Sequence, residues 1–406
     1  MYEKEFDVII VGSGIIGASL ALILAKTDFN VAIIEAAPLA KDLAHQPDKT
    51  IVLAHSSQII FKMMGIWEQV APNACAIQEI HVSDQGHFGG AQIKAEQEQI
   101  PALGYVVSAK AISLTLQQAI NHPRITLFQP ARFISYKYED NHTLVTLTQD
   151  NISKTLKAKL LVGCDGQSSA VRTFLKIPAT HYDYEQVALI SHVQLKRPHQ
   201  NIAYERFTQQ GPLAFLPLRN QESAVIWTVS QQRASQLINL SSLEFKNALQ
   251  KNFGYRLGKF LSCSKPVMIN LQLVTCTKQI APGAVLLGNA AHTLHPVAGQ
   301  GLNLGLRDLA ILAEEITAAR RNKQALGDLN LLENYLARRQ VDQEKIINFT
   351  HSLIGIFSNS LLPMVLARNI GLVLLDRVSS LKKLLTRRAL GFSGKVPRLA
   401  CGLSLE

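Results

Sequence analysis

Gly12, Gly14 and Gly17 stand as G-x-G-x-x-G in "VIIVGSGIIGASLALILA", and Glu35 closes the apolar run "VAIIE" that follows. Residues of these types at this spacing suit the pyrophosphate of a dinucleotide. Gly12 permits the tight turn, Gly14 lets the backbone approach the phosphates, and Gly17 lets the helix lie close on the strand. The helix N-terminus adds unsatisfied N–H groups and a partial positive charge, about 0.3–1 kcal/mol for each anion contact. Glu35 is placed to accept hydrogen bonds from ribose hydroxyls. An acid there suits a 2′-hydroxyl and repels a 2′-phosphate, so this turn is expected to hold FAD or NAD rather than NADP.

A second glycine-lined helix start lies in "LLGNAAHTLHPVAGQGLNLGLRD", Leu286 to Asp308. About ten residues separate the strand-like "GAVLLGNAA" from the helix opened by Gly299, Gln300 and Gly301, too many for another dinucleotide fingerprint. His292 and His295 form an HxxH pair with no third ligand near them, so no metal site is expected. Asp165, in "GCDGQSSAVR", reads either as a turn and helix-cap residue or as part of a site.

These loops need an α/β scaffold. The strands "DVIIV" and "VAIIE" flank a helix of small and apolar residues, the first βαβ unit. A helix is expected through "SSQIIFKMMGIWEQVA". "ITLFQPARFISYKYED" and "HTLVTLTQ" read as antiparallel strands around a turn at Asp140–His142. A strand ends at Gly163, and a helix starts near Ser168 or Ser169. From Ala188 to Thr277 the pattern is strand-rich, with a hairpin of "LAFLPL" and "AVIWTV" that suits the wall of an organic-substrate site. Phe215, Leu216, Pro217 and Trp227 read equally well as core residues.

Composition narrows the class. The 406 residues are 47% hydrophobic and 17% charged, so a folded chain of two or three domains is expected. Five scattered cysteines without CxxC spacing suit a reducing cytosol rather than a disulfide framework or zinc. Glu3, Glu5 and Asp7 precede the first apolar stretch and argue against a signal peptide, and no run of 18 apolar residues suggests a membrane span. The net charge of +11 is concentrated late, with eight Lys or Arg against two acids between Ala367 and Glu406. There Leu374, Val378, Leu381 and Leu385 share a helical face flanked by Arg377, Lys382, Lys383, Arg387 and Arg388. Such a face fits an anionic membrane surface, a packed terminal helix or a subunit contact.

The first glycine turn, "GCDGQSSAVR" and "GNAAHTLHPVAGQGLNLGLRD", in that order, resemble the class A flavoprotein monooxygenases. The resemblance covers nearly the whole chain and includes "MGIWEQVAPNACAIQEIHVSDQGHFG", "GPLAFLPL" and "ARNIGLVLLD". Within that class the chain is similar to the ubiquinone-biosynthesis hydroxylases of the 2-polyprenyl-6-methoxyphenol type. The implied fold is α/β: a Rossmann-like FAD-binding domain, an inserted mostly antiparallel β substrate domain (p-hydroxybenzoate hydroxylase-like), and a helical C-terminal region. The expected boundaries are 1–75, 101–180 and 278–340 for FAD binding, and 76–100 and 181–277 for substrate. Residues 341–406 would form the helical, membrane-associating region.

The resemblance also implies why there are two glycine loops. One tightly bound FAD would be held at its adenosine diphosphate end by the first loop and at its ribityl chain and ring by the second. Asn289 would contact the ribityl hydroxyls, where most of the superfamily has Asp. Gly299, Gln300, Gly301, Leu302 and Asn303 would present backbone N–H groups to the pyrimidine edge of the ring, favouring the negative charge of reduced flavin. His295 and Pro296 would lie at its substrate side as candidate catalytic residues, and Asp165 would serve FAD and nicotinamide use. Lys49 in "DKTIVLA" and Lys110 stand where relatives carry Arg, and both are expected to contact FAD. Lysine keeps the charge but loses the bidentate fork.

The implied activity is that of an FAD-dependent aromatic monooxygenase. NADPH or NADH would act as transient reductant, O2 as co-substrate and a polyprenyl phenol as substrate, with the cofactor supplying the hard chemistry. A bilayer-borne substrate implies a cytoplasmic enzyme, peripheral on the inner face of a bacterial membrane. Other ubiquinone-biosynthesis proteins are expected partners and nucleic acid is not. Two other readings stay open: a soluble hydroxylase of a small phenolic compound, for which Arg206 and Arg219 could bind a carboxylate, and a non-catalytic flavin-binding subunit.

Overall fold

Strand Glu5–Val11 lies at the centre of a parallel sheet ordered Ala284–Leu286, Ile152–Gly163, Glu5–Val11, Val31–Ile34, Ile125–Phe128. A computed structural model of the chain describes residues 5–38, 49–295, 299–357, 362–378, 382–383, 386–387, 390–392 and 394–405. The strands are runs of Val, Ile and Leu because both faces of this sheet are covered; Val8, Ile9, Ile10 and Ile33 have no exposed surface. Arg132–Glu139 and His142–Gln149 extend Ile152–Gly163 as an antiparallel hairpin, turning through Asp140 and Asn141 at positive φ.

This sheet places four motifs along one edge. The first glycine turn follows Val11, Glu35 follows Ile34, the Asp165–Gly166 turn follows Gly163, and the second glycine loop follows Leu286. All four leave the C-terminal ends of parallel strands, where α/β sheets present their ligand crevices.

A second sheet of nine strands, mostly antiparallel, stands over that edge. Its order is His292–Thr293, Val267–Cys276, Ala179–Leu195, Glu222–Ser230, Gly211–Pro217, Ile202–Thr208, Glu79–Asp84, Gly90–Lys94, with Phe260–Cys263 alongside Ala179–Leu195. Alternation gives it two distinct faces. Leu189, Phe215, Trp227 and their neighbours pack against helices Gln231–Ile238 and Ser242–Phe253. Ala203, Leu216, Ala224 and Ile226 face the other way. Phe215 and Trp227 are thus core, as their bland reading allowed, and Leu216 is on the site's side.

The α/β core, the second sheet and the helical C-terminal region make up the expected fold class. Four local expectations change. The stretch "ITLFQPARFISYKYED" divides into Ile125–Phe128, which pairs in parallel with Val31–Ile34, and Arg132–Glu139, which alone forms the hairpin. The helix through "SSQIIFKMMGIWEQVA" breaks into His55–Met63 and Trp67–Val70 because Gly65 adopts φ +74°. The strand in "GAVLLGNAA" stops at Leu286, and Gly288–Ala290 is a turn of 3-10 helix. The strand-rich middle also contains the two helices just named, whose apolar faces cover the sheet.

Helix Gln300–Arg321 packs on helix Ile15–Lys26 and on helix Leu329–Phe357, and helix Leu362–Arg377 lies against strand Gly90–Lys94 of the second sheet. Among the described residues no helix is long and apolar enough to cross a membrane.

Candidate active site

Helices Ile15–Lys26 and Gln300–Arg321 begin on the same cavity, of about 750 Å³. Gly14 caps the first helix and Gly301 lies in the first turn of the second; both line the cavity, and a Cβ added to either would meet nothing within 4 Å. Gly166 lines it with the same open space. Two helix N-termini with clear approach to their N–H groups form a cradle for anionic and hydrogen-bond-accepting parts of a ligand.

The remaining glycines bring backbone segments together. Gly12 has φ +100°, and a Cβ there would stand 2.6 Å from the Cys164 carbonyl oxygen. A Cβ on Gly17 would overlap the carbonyl oxygen of Gly12. Gly299 caps the second helix at φ +60°, with Val52 at 3.0 Å from its ideal Cβ. The dinucleotide reading of the first turn therefore has a steric basis at each position.

Glu35 faces the first turn. Its carboxylate accepts from the Ser13 N–H at 2.7 Å, the Ser13 hydroxyl at 2.8 Å and the Ala37 N–H at 2.8 Å. A carboxylate offers about four lone-pair positions, so room remains to accept from a ribose hydroxyl. Asn289 is exposed on the cavity wall, beside Gly288, Thr293 and Leu294.

Several of the named side chains are engaged within the fold. Asp165 accepts from the Ser169 hydroxyl at 2.5 Å and from the N–H groups of Ala170 and Val171 at 2.6 and 3.1 Å, so its carboxylate caps helix Ala170–Phe174. Its neighbours Cys164 and Gly166 line the cavity. Asn303 accepts from Ala54 N–H at 2.8 Å and donates to the carbonyls of Val52 and Gly299 at 2.8 and 2.6 Å. That side chain fastens the second helix to strand Thr50–Ala54, and what it leaves for a ligand is backbone. Lys49 and Lys110 flank the strand pair Thr50–Ala54 and Gly104–Ser108, joined by the Ala109 N–H to the Lys49 carbonyl at 2.8 Å; neither is among the cavity-lining residues. Gln300 and Leu302 are on the wall.

His292 and His295 part company. The His292 Nε2–H donates to Asp308 Oδ2 at 2.6 Å, in a buried network where Arg339 reaches Asp308 at 2.6 Å and Asp342 at 2.8 Å, and Arg307 reaches Asp342 at 3.1 Å. Burial disfavours the Asp308 charge, but Arg339 and His292 outweigh it and hold the carboxyl well below the usual range. His295 is 1% exposed and sits edge-on to Tyr184 with ring centroids 5.1 Å apart; burial lowers it to about 4. Thr293 and Leu294 line the cavity at this point, and His295, packed on Tyr184, stays neutral near pH 7. Pro296 lies outside the described residues.

Two residues escaped the sequence reading. Arg172 donates to the Ala290 carbonyl at 2.9 Å and the Gln167 carbonyl at 2.6 Å, tying the Asp165 turn to the second glycine loop. Its place in "GCDGQSSAVR" was the available signal. Glu205 lines the cavity, where the second sheet contributes mostly apolar residues, among them Ile80, Val82, Ala203, Leu216 and Ile226, together with Tyr204 and Thr293. Burial raises its carboxyl to about 7. Arg206 is not part of the wall, and Arg219 donates to the Pro72 carbonyl. Among the described residues Lys345 is the cavity's cationic residue, at its exposed rim.

A family model described as an FAD binding domain matches residues 5–350. The chain is 32% identical over 413 residues to the ubiquinone hydroxylase UbiL of Rhodospirillum rubrum, covering 99% of this chain and 94% of that protein. It is 31% identical to the 3-demethoxyubiquinol 3-hydroxylase of Escherichia coli, covering 96% of this chain and all of the relative. Among solved structures, p-nitrophenol 4-monooxygenase PnpA from Pseudomonas putida DLL-E4 superposes with a TM-score of 0.78 at 14% identity, covering 97% of this chain and 99% of its own. That likeness supports the fold.

Proposed function

This chain belongs to the FAD binding domain family, and on that premise we propose that it hydroxylates the ring of a polyprenylated phenol in ubiquinone biosynthesis. The observation that carries the reading is one cavity with two unlike ends. At one end are the open glycines of two helix starts; at the other is an apolar sheet face. A long ligand bearing phosphates and a polar ring suits the first end, and a phenol with a hydrocarbon chain suits the second.

The cradle at Gly14, Gly166 and Gly301 fits FAD, with Glu35 toward the ribose, Asn289 toward the ribityl chain, and the backbone from Gly299 to Asn303 toward the ring. When bound, FAD takes reducing equivalents from NAD(P)H and activates O2 for transfer of one oxygen atom to the substrate ring. The chain's own part is to orient the phenol against the second glycine loop and to exclude water. Ile80, Val82, Ile93, Leu216 and Ile226 remove the ring from solvent. The arginines that a small phenolic acid would need are absent from the described wall, and Glu205 would repel its carboxylate.

The reading extends to a membrane surface. On helix Leu362–Arg377 and just beyond it, Leu366, Ile370, Leu374 and Val378 recur at helical spacing and are 56%, 45%, 48% and 36% exposed. Arg377 adjoins Val378, and Lys382, Lys383 and Arg387 follow it, while Leu372 lines the cavity from the other face of the same helix. An apolar stripe with basic flanks supports attachment to an anionic leaflet next to the route by which a lipid substrate enters. Leu381 and Leu385, expected on the same face, and Arg388, expected to flank it, lie outside the described residues.

The test is the purified flavoprotein with 2-methoxy-6-prenylphenol, NAD(P)H and O2. A product heavier by one oxygen, with the label drawn from ¹⁸O2, is the expected result. Flavin reduction without any oxygenated ring would overturn the proposal, as would normal quinone lipids with no accumulated precursor in a strain lacking this gene and any homologue.

A further inference from the structure

Glu205 is a charge in the wrong kind of row. Its strand, Ile202–Thr208, pairs with Glu79–Asp84 on one side and Gly211–Pro217 on the other. Level with Glu205 are Val82 and Ala214, and beyond them Ala91 and Ile226. An acid thus stands among four apolar neighbours on the face that lines the cavity. Glu205 is half-buried, and among the described residues neither a hydrogen bond nor an ion pair engages its carboxylate, whereas carboxylates withdrawn from water are normally paired.

Among the described residues, other ionisable groups on the cavity wall are few. Tyr204 adjoins Glu205 in the chain, Cys164 stands by the first glycine turn, and Lys345 of helix Leu329–Phe357 sits at the exposed rim. Helix Leu362–Arg377 contributes Leu372 to the wall, and the segment after it contributes Thr386 and Leu390. Among the described residues the carboxylate has no donor, and a phenolic hydroxyl is a donor of the right size. With its carboxyl raised to about 7 by burial, Glu205 can exchange a proton near neutral pH, where general bases are most effective.

Resting on the phenol hydroxylation proposed above, we propose that Glu205 is the general base of the reaction, accepting the substrate's phenolic proton. The ionised carboxylate first accepts a hydrogen bond from the phenolic O–H, which orients the ring. As a ring carbon bonds to the incoming oxygen, the O–H bond breaks, its electron pair forms the ring carbonyl, and the proton passes to a Glu205 oxygen. The ring is then a neutral dienone. Loss of the C–H proton at the new C–O bond, with return of the Glu205 proton to the carbonyl oxygen, restores the aromatic product. O2 supplies the inserted atom, and its other oxygen leaves as water at the expense of NAD(P)H.

The experiment compares wild type, Glu205→Gln and Glu205→Asp as FAD-loaded proteins, with flavin content confirming the fold of each. Binding of 2-methoxy-6-prenylphenol and of its methyl ether is measured from flavin fluorescence without reductant, across pH 5.5–9. Wild type is expected to prefer the phenol by at least about tenfold above pH 7 and to lose that preference as the pH falls and Glu205 protonates. Gln should show a small preference with no pH dependence. Asp, still an acid, should keep the pH dependence at weaker affinity. Turnover should fall by about 10²–10⁴ in the Gln variant and lose its rise through neutral pH. A Gln variant that binds phenol over ether as wild type does, or turns over at the wild-type rate, overturns the role of Glu205. Wild type that neither binds nor hydroxylates the phenol instead removes the underlying reading, and this assignment with it.

Discussion

Gly305 lies so close to Ile16 that a Cβ built on the glycine would stand 2.9 Å from Ile16 Cδ1, and Gly288 meets Ile16 Cγ1 at 3.1 Å in the same way. One isoleucine, in the first turn of the helix after the first glycine loop, is the spacer against which the second loop and its helix are set. Gly305→Ala should therefore press on Ile16 and lower FAD retention, the crowding offsetting the stability of about 0.8–1 kcal/mol that Ala ordinarily adds in a helix interior. Adding Ile16→Val should recover part of that retention, because the two residues share one space. Thermal unfolding and flavin content of the two singles and the double measure the coupling; additive effects would separate the residues.

The salt bridges around Asp308 make a second prediction. Arg339 touches Asp308 and Asp342, and removing it leaves two buried carboxylates, with Arg307 as the cation remaining beside Asp342. Arg339→Met should cost about 3–5 kcal/mol in urea unfolding at pH 7. Asp308 has a folded-state pKa held below its unfolded value, so its contribution is complete above the unfolded pKa and disappears as pH falls through the folded one. The penalty of Arg339→Met should accordingly shrink under strongly acidic conditions.

The contrast between Gly12 and Glu205 shows what was readable beforehand. Gly12, Gly14, Gly17 and Glu35 act within one βαβ unit, so spacing along the chain is spacing in the site. The same holds for the second glycine helix start. Glu205 depends on strands from residues 79–84 and 211–217 meeting at one register, which a single sequence does not display. The network of His292, Asp308, Arg339 and Asp342 joins a loop and two helices for the same reason. Asp165 and Asn303 sit in the expected motifs, yet their side chains bond to backbone. A motif specifies which residue stands at a position, while competition among nearby N–H and C=O groups decides what its side chain touches.

Glu205 should leave a mark on stability as well as on binding. Its carboxyl is raised from 4.5 to about 7 by burial, so between those values the folded protein retains a proton that the unfolded chain has released. Stability contributed at this site is therefore present at low pH and falls as pH rises through that window. Glu205→Gln, which cannot ionise, should match wild type near pH 4.5 and exceed it above pH 7, by about 1–3 kcal/mol. Melting curves of the two proteins across pH 4.5–8.5, with no substrate present, give the comparison. A constant difference at all pH values would mean that Glu205 titrates normally.

The exposed stripe on helix Leu362–Arg377 makes the last prediction, and it separates membrane attachment from catalysis. Leu366, Ile370 and Leu374 project outward, whereas Asn369 on the inner side bonds to the Gly89 N–H at 2.8 Å and to Asp84 at 3.0 Å and holds the helix in place. Changing the three outward residues to Gln leaves that anchor and Leu372 intact, so FAD content and turnover of a short, water-soluble phenol should be unchanged. Flotation with vesicles containing anionic lipid should fall by at least tenfold, since each apolar side chain withdrawn from the interface forfeits about 1.5–3 kcal/mol at full burial. Reversing charge at Lys382 and Lys383 should weaken flotation at low salt and have less effect at high salt, because basic residues contribute about 1 kcal/mol each near an anionic surface and are screened beyond a Debye length. If the Gln variant floats as wild type does, the stripe belongs to another contact. If flotation is lost and turnover of the short phenol falls equally, the helix supports the cavity and its outward face is not a separate device.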